Sequence, residues 1–320
     1  MQRRSMSSAG IPPLISIVIP VFNEEQTISI LFAALRSAIE SCAGYRWELV
    51  LVDDGSADAT VAEIERQRPV FPGMVSLVQF SRNFGHQPAL TAGLQRSKGD
   101  AVVCMDADLQ DPPSLLPQFL DKFAEGYDVV YAVRTSRVAT GLIQFLYGMF
   151  YRCFRFLSEV EIPLDAGDFG LMSRRVVNLL IAIPERDVMV RGLRSWVGFR
   201  QIGIPYDRPG RAAGETKYSF GKLVKLAMSG FFGFSTLPLR VATFTGVASM
   251  GMALLYFLFA LYAKLFRGDV PQGWTSLVGI ILILAGAQLI SVGILGEYIG
   301  RIHAQLQGRP LFVVHSEREL

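Results

Sequence analysis

Apolar residues along this chain fall into two arrangements, and each predicts a different kind of element. In the first half, short unbroken runs alternate with stretches of helical period. "LISIVIPV", "WELVLVDDGS", "VSLVQFSRN", "AVVCMDADL" and "YDVVYAVR" are each rich in Val, Ile or Leu, and most end in polar residues. Between them lie residues 25–42, 57–68, 86–97 and 113–125, where the period is that of a helix. Buried strands alternating with helices predict an α/β fold, a mainly parallel sheet flanked by helices. Ligands of such sheets bind beyond the carboxyl ends of the strands. Polar clusters stand at four of those ends: Asn23 with Glu24, Asp53 with Asp54, Arg82 with Asn83, and Asp106 with Asp108. They predict one shared crevice.

The last third is patterned differently. Val241 to Ala263 is 23 residues without a charge, and Val270 to Gly296 is 27. About 20 helical residues cross the hydrocarbon core of a bilayer. The pattern predicts a transmembrane hairpin over 241–300, with spans at about 241–263 and 274–296; two buried core helices are the alternative. Lys222, Lys225 and Arg240 precede the first span, and Arg301 and Arg309 follow the second. This bias favours a cytoplasmic domain at 13–218 and a cytoplasmic tail at 301–320. Two further segments, "GLIQFLYGMFYRCFRFLS" and the 219–240 region, read as amphipathic helices lying in the membrane interface, although the first stripe also suits a protein core.

Composition agrees with a membrane protein: 51% of residues are hydrophobic, 18% are charged, and the mean hydropathy is +0.34. A net charge of +3 without a dense basic block argues against nucleic acid. Cys42, Cys104 and Cys153 lack metal-ligand spacing and read as reduced thiols. Residues 1–12 have two arginines and no apolar core, which fits a disordered tail and not a signal peptide.

Candidate chemistry concentrates in "CMDADLQDPP". Asp106 and Asp108 are two apart, so on an extended chain they point to one side, with Gln110 two further on. Two carboxylates and an amide oxygen are hard ligands suited to Mg²⁺ or Mn²⁺, and Cys104 beside them lacks the further Cys or His at ligand spacing that would favour zinc. So sparse a set implies a diphosphate as the remaining ligand. Asp111 ahead of Pro112 reads as a helix cap.

"IPVFNEE", "LVDDGSADAT", "SRNFGHQPALTAG" and "MDADLQDPP", in that order, resemble the A-type inverting glycosyltransferases of family 2. "GDFGLMSRR", "GETKYSFGKL" and "GILGEYIGRI" are similar to the dolichyl-phosphate-mannose-synthase-like branch. Within it, the two-span polyprenyl-phosphate (bactoprenol) glucosyltransferases resemble the chain from about Ile15 to Val314. The resemblance implies a Rossmann-like nucleotide-sugar-binding domain. Pro20, Phe22, Glu24 and Asp53 would line its nucleotide pocket, with Asp53 or Asp54 reading the base or ribose; a turn leading to a helix cap is the plainer reading of Asp53–Ser56. Asp106, Asp108 and Gln110 would hold the metal on the donor diphosphate.

The implied acceptor is polyprenyl phosphate, already ionised, which needs positioning more than deprotonation. Candidates to hold it are Arg134, Arg208, Arg211, Lys217 and Ser219, while Arg194 could instead meet the donor diphosphate. Asp168, in "LDAGDFGLMSR", would orient such an arginine or act as a base; a turn cap is its alternative. His86 is taken to cap or line the site, not as a general base. UDP-glucose is the favoured donor, ahead of UDP-GlcNAc, UDP-aminoarabinose and GDP-mannose. Membrane lipid is a further expected partner. The oligomer is left open, and a flippase and a second glycosyltransferase would act downstream. A processive polysaccharide synthase, a phosphotransferase making lipid diphosphate sugars and an inactive scaffold are the rival readings.

Overall fold

The computed structural model describes residues 12–135, 166–185, 189–207, 237–266 and 273–320. The interface segment at 141–158, most of that at 219–240, and Arg208, Arg211, Lys217 and Ser219 lie outside the described residues, as do residues 1–11 and Cys153. The chain divides into two units. One holds a sheet and includes residues 309–320; the other is a helical hairpin.

The five expected strands form. They are β1 (Leu14–Val21), β2 (Arg46–Asp53), β3 (Met74–Phe80), β4 (Ala101–Cys104) and β5 (Val129–Arg134). The four expected helices form as well: α1 (Ile28–Glu40), α2 (Thr60–Gln67), α3 (His86–Arg96) and α4 (Leu116–Ala124). The structure adds β6 (Ala166–Ser173), α5 (Arg174–Ala182), α6 (Val190–Trp196), β7 (Gln201–Tyr206) and β8 (Val314–Glu319). The eight strands lie in one sheet of order β7-β5-β6-β4-β1-β2-β3-β8. β1 to β4 are mutually parallel and β5 runs parallel to β7, while β6 and β8 are antiparallel to their neighbours. The segment 301–320, expected as a tail, therefore does two things. Its first residues complete a helix that ends at Leu306, and its last ones add an edge strand.

Both faces of the sheet are covered, which is why β1 and β2 are apolar without alternation. Ile17, Ile19, Leu49 and Leu51 pack with Leu31, Phe32 and Leu35 of α1 and Phe119 of α4. Val18, Val50 and Val52 pack on the other side with Leu90 and Leu94 of α3 and Val176 of α5. The stripe Ile28, Leu31, Phe32, Leu35 of α1 is wholly buried; each such side chain contributes about 1.5–3 kcal/mol.

The second unit contains α7 (Leu237–Phe266) and α8 (Trp274–Leu306), 30 and 33 residues long. Their most apolar stretches, Ala242–Phe259 and Gly279–Leu306, are long enough to cross a membrane. Phe244, Leu255, Ile283 and Leu289 expose most of their surface to no protein partner among the described residues. Neither stretch is buried inside the fold, which fits membrane association better than a pair of core helices. Gly246, Ser249 and Ala253 face Ala287, Gln288 and Ser291 across a cleft of about 500 Å³.

Candidate active site

The loops after β1, β2 and β3 are laced together at the carboxyl end of the sheet. Asn23, with φ of 53°, accepts the Ala57 amide on its side-chain oxygen at 2.9 Å and donates its own amide to Ser56 Oγ at 2.9 Å. The Glu24 amide donates to Thr60 Oγ1 at 2.8 Å. Gly55 has φ of +74°, and a Cβ there would lie 2.6 Å from the carbonyl carbon of Arg82, so only glycine fits. Phe22 is part-exposed at the mouth of this region, whereas Pro20 is buried within β1 opposite Val52.

The paired acids at the end of β2 have separate jobs. Asp54 accepts the amides of Phe84 and Gly85 at 2.6 and 2.9 Å, one on each oxygen, and so pins the loop leading into α3. Asp53 accepts the Ser56 amide at 3.1 Å on one oxygen. Burial pushes both carboxyls above the usual range, against the pull of these hydrogen bonds.

The spacing argument for Asp106 and Asp108 needs correction. β4 ends at Cys104 and a turn begins at Ala107, so the two residues do not alternate along one strand. The backbone turns through them, and Leu109 is left-handed at φ 59°. Asp106 keeps 39% of its side chain exposed, while Asp108 is nearly buried and accepts the Gln110 amide at 3.1 Å. Among the described residues, no group of three His, Cys, Asp or Glu is placed to hold a metal by itself. Asp111 is also not a helix cap: the short 3-10 turn Pro113–Leu115 has no side-chain cap bond. Its carboxylate instead accepts the Asp106 amide and the Tyr206 hydroxyl, both at 3.2 Å, and thereby holds the acidic turn against β7.

Asp168 lies near the start of β6 and at the centre of a second polar cluster. The Gln87 amide nitrogen donates to its Oδ2 at 2.8 Å, and the Gln87 oxygen accepts the Val190 amide at 2.8 Å. His86 Nε2 stands 3.5 Å from Asp168 and 3.7 Å from Asp106, bridging the two acids. Burial disfavours the imidazolium, but the hydrogen bond to Asp168 and the fields of Asp106, Asp168 and Asp111 prevail and raise its pKa to about 9. Burial likewise opposes ionisation of Asp168, yet His86, Arg191 and Arg194 bring its pKa down to about 2. Arg194 is 1% exposed, bonds the Gly167 carbonyl at 3.2 Å and lies 5.1 Å over the Tyr131 ring. An alanine methyl at Gly167 would stand 3.3 Å from Arg134 Nη2, so the two arginines flank this glycine. Among the described residues, Asp168 Oδ1, Arg134 Nε and Arg194 Nε are buried without a partner.

Sequence reasoning took His86 to cap or line the site and gave Gln87 no role. Their position at the opening turn of α3 was visible. Their contact with Asp168, about 80 residues away in sequence, was not.

Comparison with known proteins matches this arrangement to a family. Residues 16–179 match "Glycosyl transferase family 2", and residues 237–302 match "GtrB C-terminal hairpin". The chain is 40% identical over 306 residues to the bactoprenol glucosyl transferase of Shigella phage SfV, covering 95% of this chain and 99% of that one. It is 44% identical over 302 residues to an uncharacterised glycosyltransferase of Bacillus subtilis (strain 168), covering 94% and 93%. Among solved structures, mannosyl-3-phosphoglycerate synthase from Rubrobacter xylanophilus aligns with a TM-score of 0.46 at 18% identity, covering 68% and 71%. The protein belongs to glycosyl transferase family 2, with a C-terminal hairpin of two apolar helices that fits membrane association.

Proposed function

We propose that this protein transfers glucose from UDP-glucose to a polyprenyl phosphate, undecaprenyl phosphate in a bacterium, at the cytoplasmic face of the inner membrane. The observation that carries this reading is the trio of buried, unpartnered polar atoms around Gly167: Asp168 Oδ1, Arg134 Nε and Arg194 Nε. Buried donors and acceptors without partners are costly, about 1–3 kcal/mol each, and a phosphate ligand would satisfy the two arginines. The near-full-length relative named for bactoprenol supplies the acceptor class. The basic residues Lys222, Lys225, Arg240, Arg301 and Arg309, bracketing the apolar helices, support the cytoplasmic side.

In this reading Phe22, Glu24 and Asp53 bound the nucleoside, with Pro20 and Asp54 fixing the surrounding backbone. Arg134 and Arg194 hold phosphate oxygens, joined by Arg208, Arg211, Lys217 and Ser219 on the acceptor side. Asp168, held ionised by its neighbours, orients the arginines and faces the anomeric carbon. The acceptor oxygen attacks that carbon from the side opposite the nucleoside diphosphate, so configuration inverts. The donor set suits a divalent cation, because Asp106, Asp108 and Gln110 offer hard oxygens and a donor diphosphate would complete so sparse a set. Mg²⁺ or Mn²⁺ bound there would neutralise charge growing on the leaving diphosphate.

The test uses radiolabelled UDP-glucose with undecaprenyl phosphate and the full chain in membranes. Lipid-phase counts should appear, disappear with chelator, and fall at least about 10²-fold in Asp106→Asn. Counts unchanged by chelator would remove the metal assignment; no counts with any sugar nucleotide would remove the reaction.

A further inference from the structure

A row of polar side chains runs from Asp53 to the β8 edge of the sheet, and its members beyond Asp53 have no part in the chemistry above. Asp53 ends β2 and is register partner to Gln79 on β3. Gln79 in turn is register partner to Ser316 on β8. Residues opposite one another in a sheet share a face, so the three stand side by side. Gln79 Oε1 accepts the Ser316 hydroxyl at 2.6 Å and Arg318 Nη2 at 3.0 Å. Arg318 is itself held by Glu65 of α2 at 2.7 Å.

An arginine can only donate, so this pair of bonds fixes which end of the Gln79 amide is oxygen. The NH₂ end is left for the Asp53 side. In agreement, the Gln79 side chain favours the ionised form of Asp53, partly offsetting the effect of burial.

We propose that Gln79 is a positioning residue for Asp53, set in its orientation by Ser316 and Arg318, so that the C-terminal strand tunes affinity for the nucleoside half of the donor. The proposal rests on Asp53 facing the nucleotide. It gives β8 a role beyond covering a sheet edge, and that role lies in the segment that follows α8 in sequence.

The experiment measures donor KM, acceptor KM, kcat, calorimetric affinity for UDP and thermal stability on the full chain. Gln79→Leu should raise donor KM and weaken UDP about tenfold, with kcat and acceptor KM retained, the scale of one hydrogen bond to a charged group. Ser316→Ala should shift the same two quantities less, and Ser316→Thr should restore them. In an Asp53→Ala background, Gln79→Leu should add nothing. Variants that lower stability but leave UDP affinity and donor KM unchanged would overturn the proposal, as would full additivity with Asp53→Ala. If Asp53→Ala alone leaves UDP affinity intact, the nucleotide assignment of Asp53 fails first, and the proposal with it. Should Gln79→Leu not fold, the Ser316 pair carries the same test.

Discussion

The two ends of the sheet are built from similar residues and treat them in opposite ways. At the amino end, Glu48 is 1% exposed and accepts the Ser16 hydroxyl and, at 2.8 Å, the Lys98 amide. Ser16 Oγ accepts the Gly99 amide at 2.8 Å, Asp100 accepts the Leu14 amide at 2.9 Å, and Arg174 donates to the Gly99 carbonyl at 2.7 Å. Every named group there has a partner inside the fold. At the carboxyl end, Asp168, Arg134 and Arg194 each keep a buried atom without one. A satisfied buried network holds strands in register, while an unsatisfied one is tolerated where a ligand completes it. A buried charge in this protein is therefore read by its partners and not by its burial.

Substitutions at the two ends should separate along that line. The largest effect is expected for Asp168→Asn at the open end. Transfer should fall about 10²–10³-fold, measured as initial rate, while the melting temperature holds, because the change removes charge and little volume. A comparable fall in stability would make Asp168 structural, like Glu48. Glu48→Ala at the closed end should do the reverse. It strands the Ser16 hydroxyl and the Lys98 amide and should cost about 2–4 kcal/mol in denaturant unfolding, with kcat per folded molecule retained. The smallest effect is expected for Gly167→Ala. Its methyl presses Arg134 by a few tenths of an ångström, so activity should fall about tenfold or less, seen first in acceptor KM. An unchanged acceptor KM would detach Arg134 from the acceptor.

The strands that could be read from sequence were those with buried surroundings on both faces. β1, β2, β3, β4 and β5 are short apolar runs for that reason. β8 was not legible, because "VHSERE" is an exposed edge strand whose pairing with β3 has no local signature. β6 hid behind Gly167, Asp168 and Gly170, residues that look like a loop until a neighbour is placed beside them. At the site, the sequence located the acidic turn but misassigned its interior. Alternation placed Asp106 and Asp108 on one side of a strand, whereas the strand had already ended. Asp111 resembled a helix cap and proved to be a brace against Tyr206.

The apolar and charged pattern by itself determined the layered sheet, the hairpin of α7 and α8, and the end of the sheet where the acids collect. These follow from local period and from the cost of leaving apolar surface in water. Only the tertiary structure decided which polar residue has a partner. Gln87 with Asp168, Asp54 with the loop before α3, and Gln79 with Ser316 are contacts between strands and loops far apart in sequence. A carboxylate's pKa and purpose depend on those neighbours, and no period in the chain encodes them.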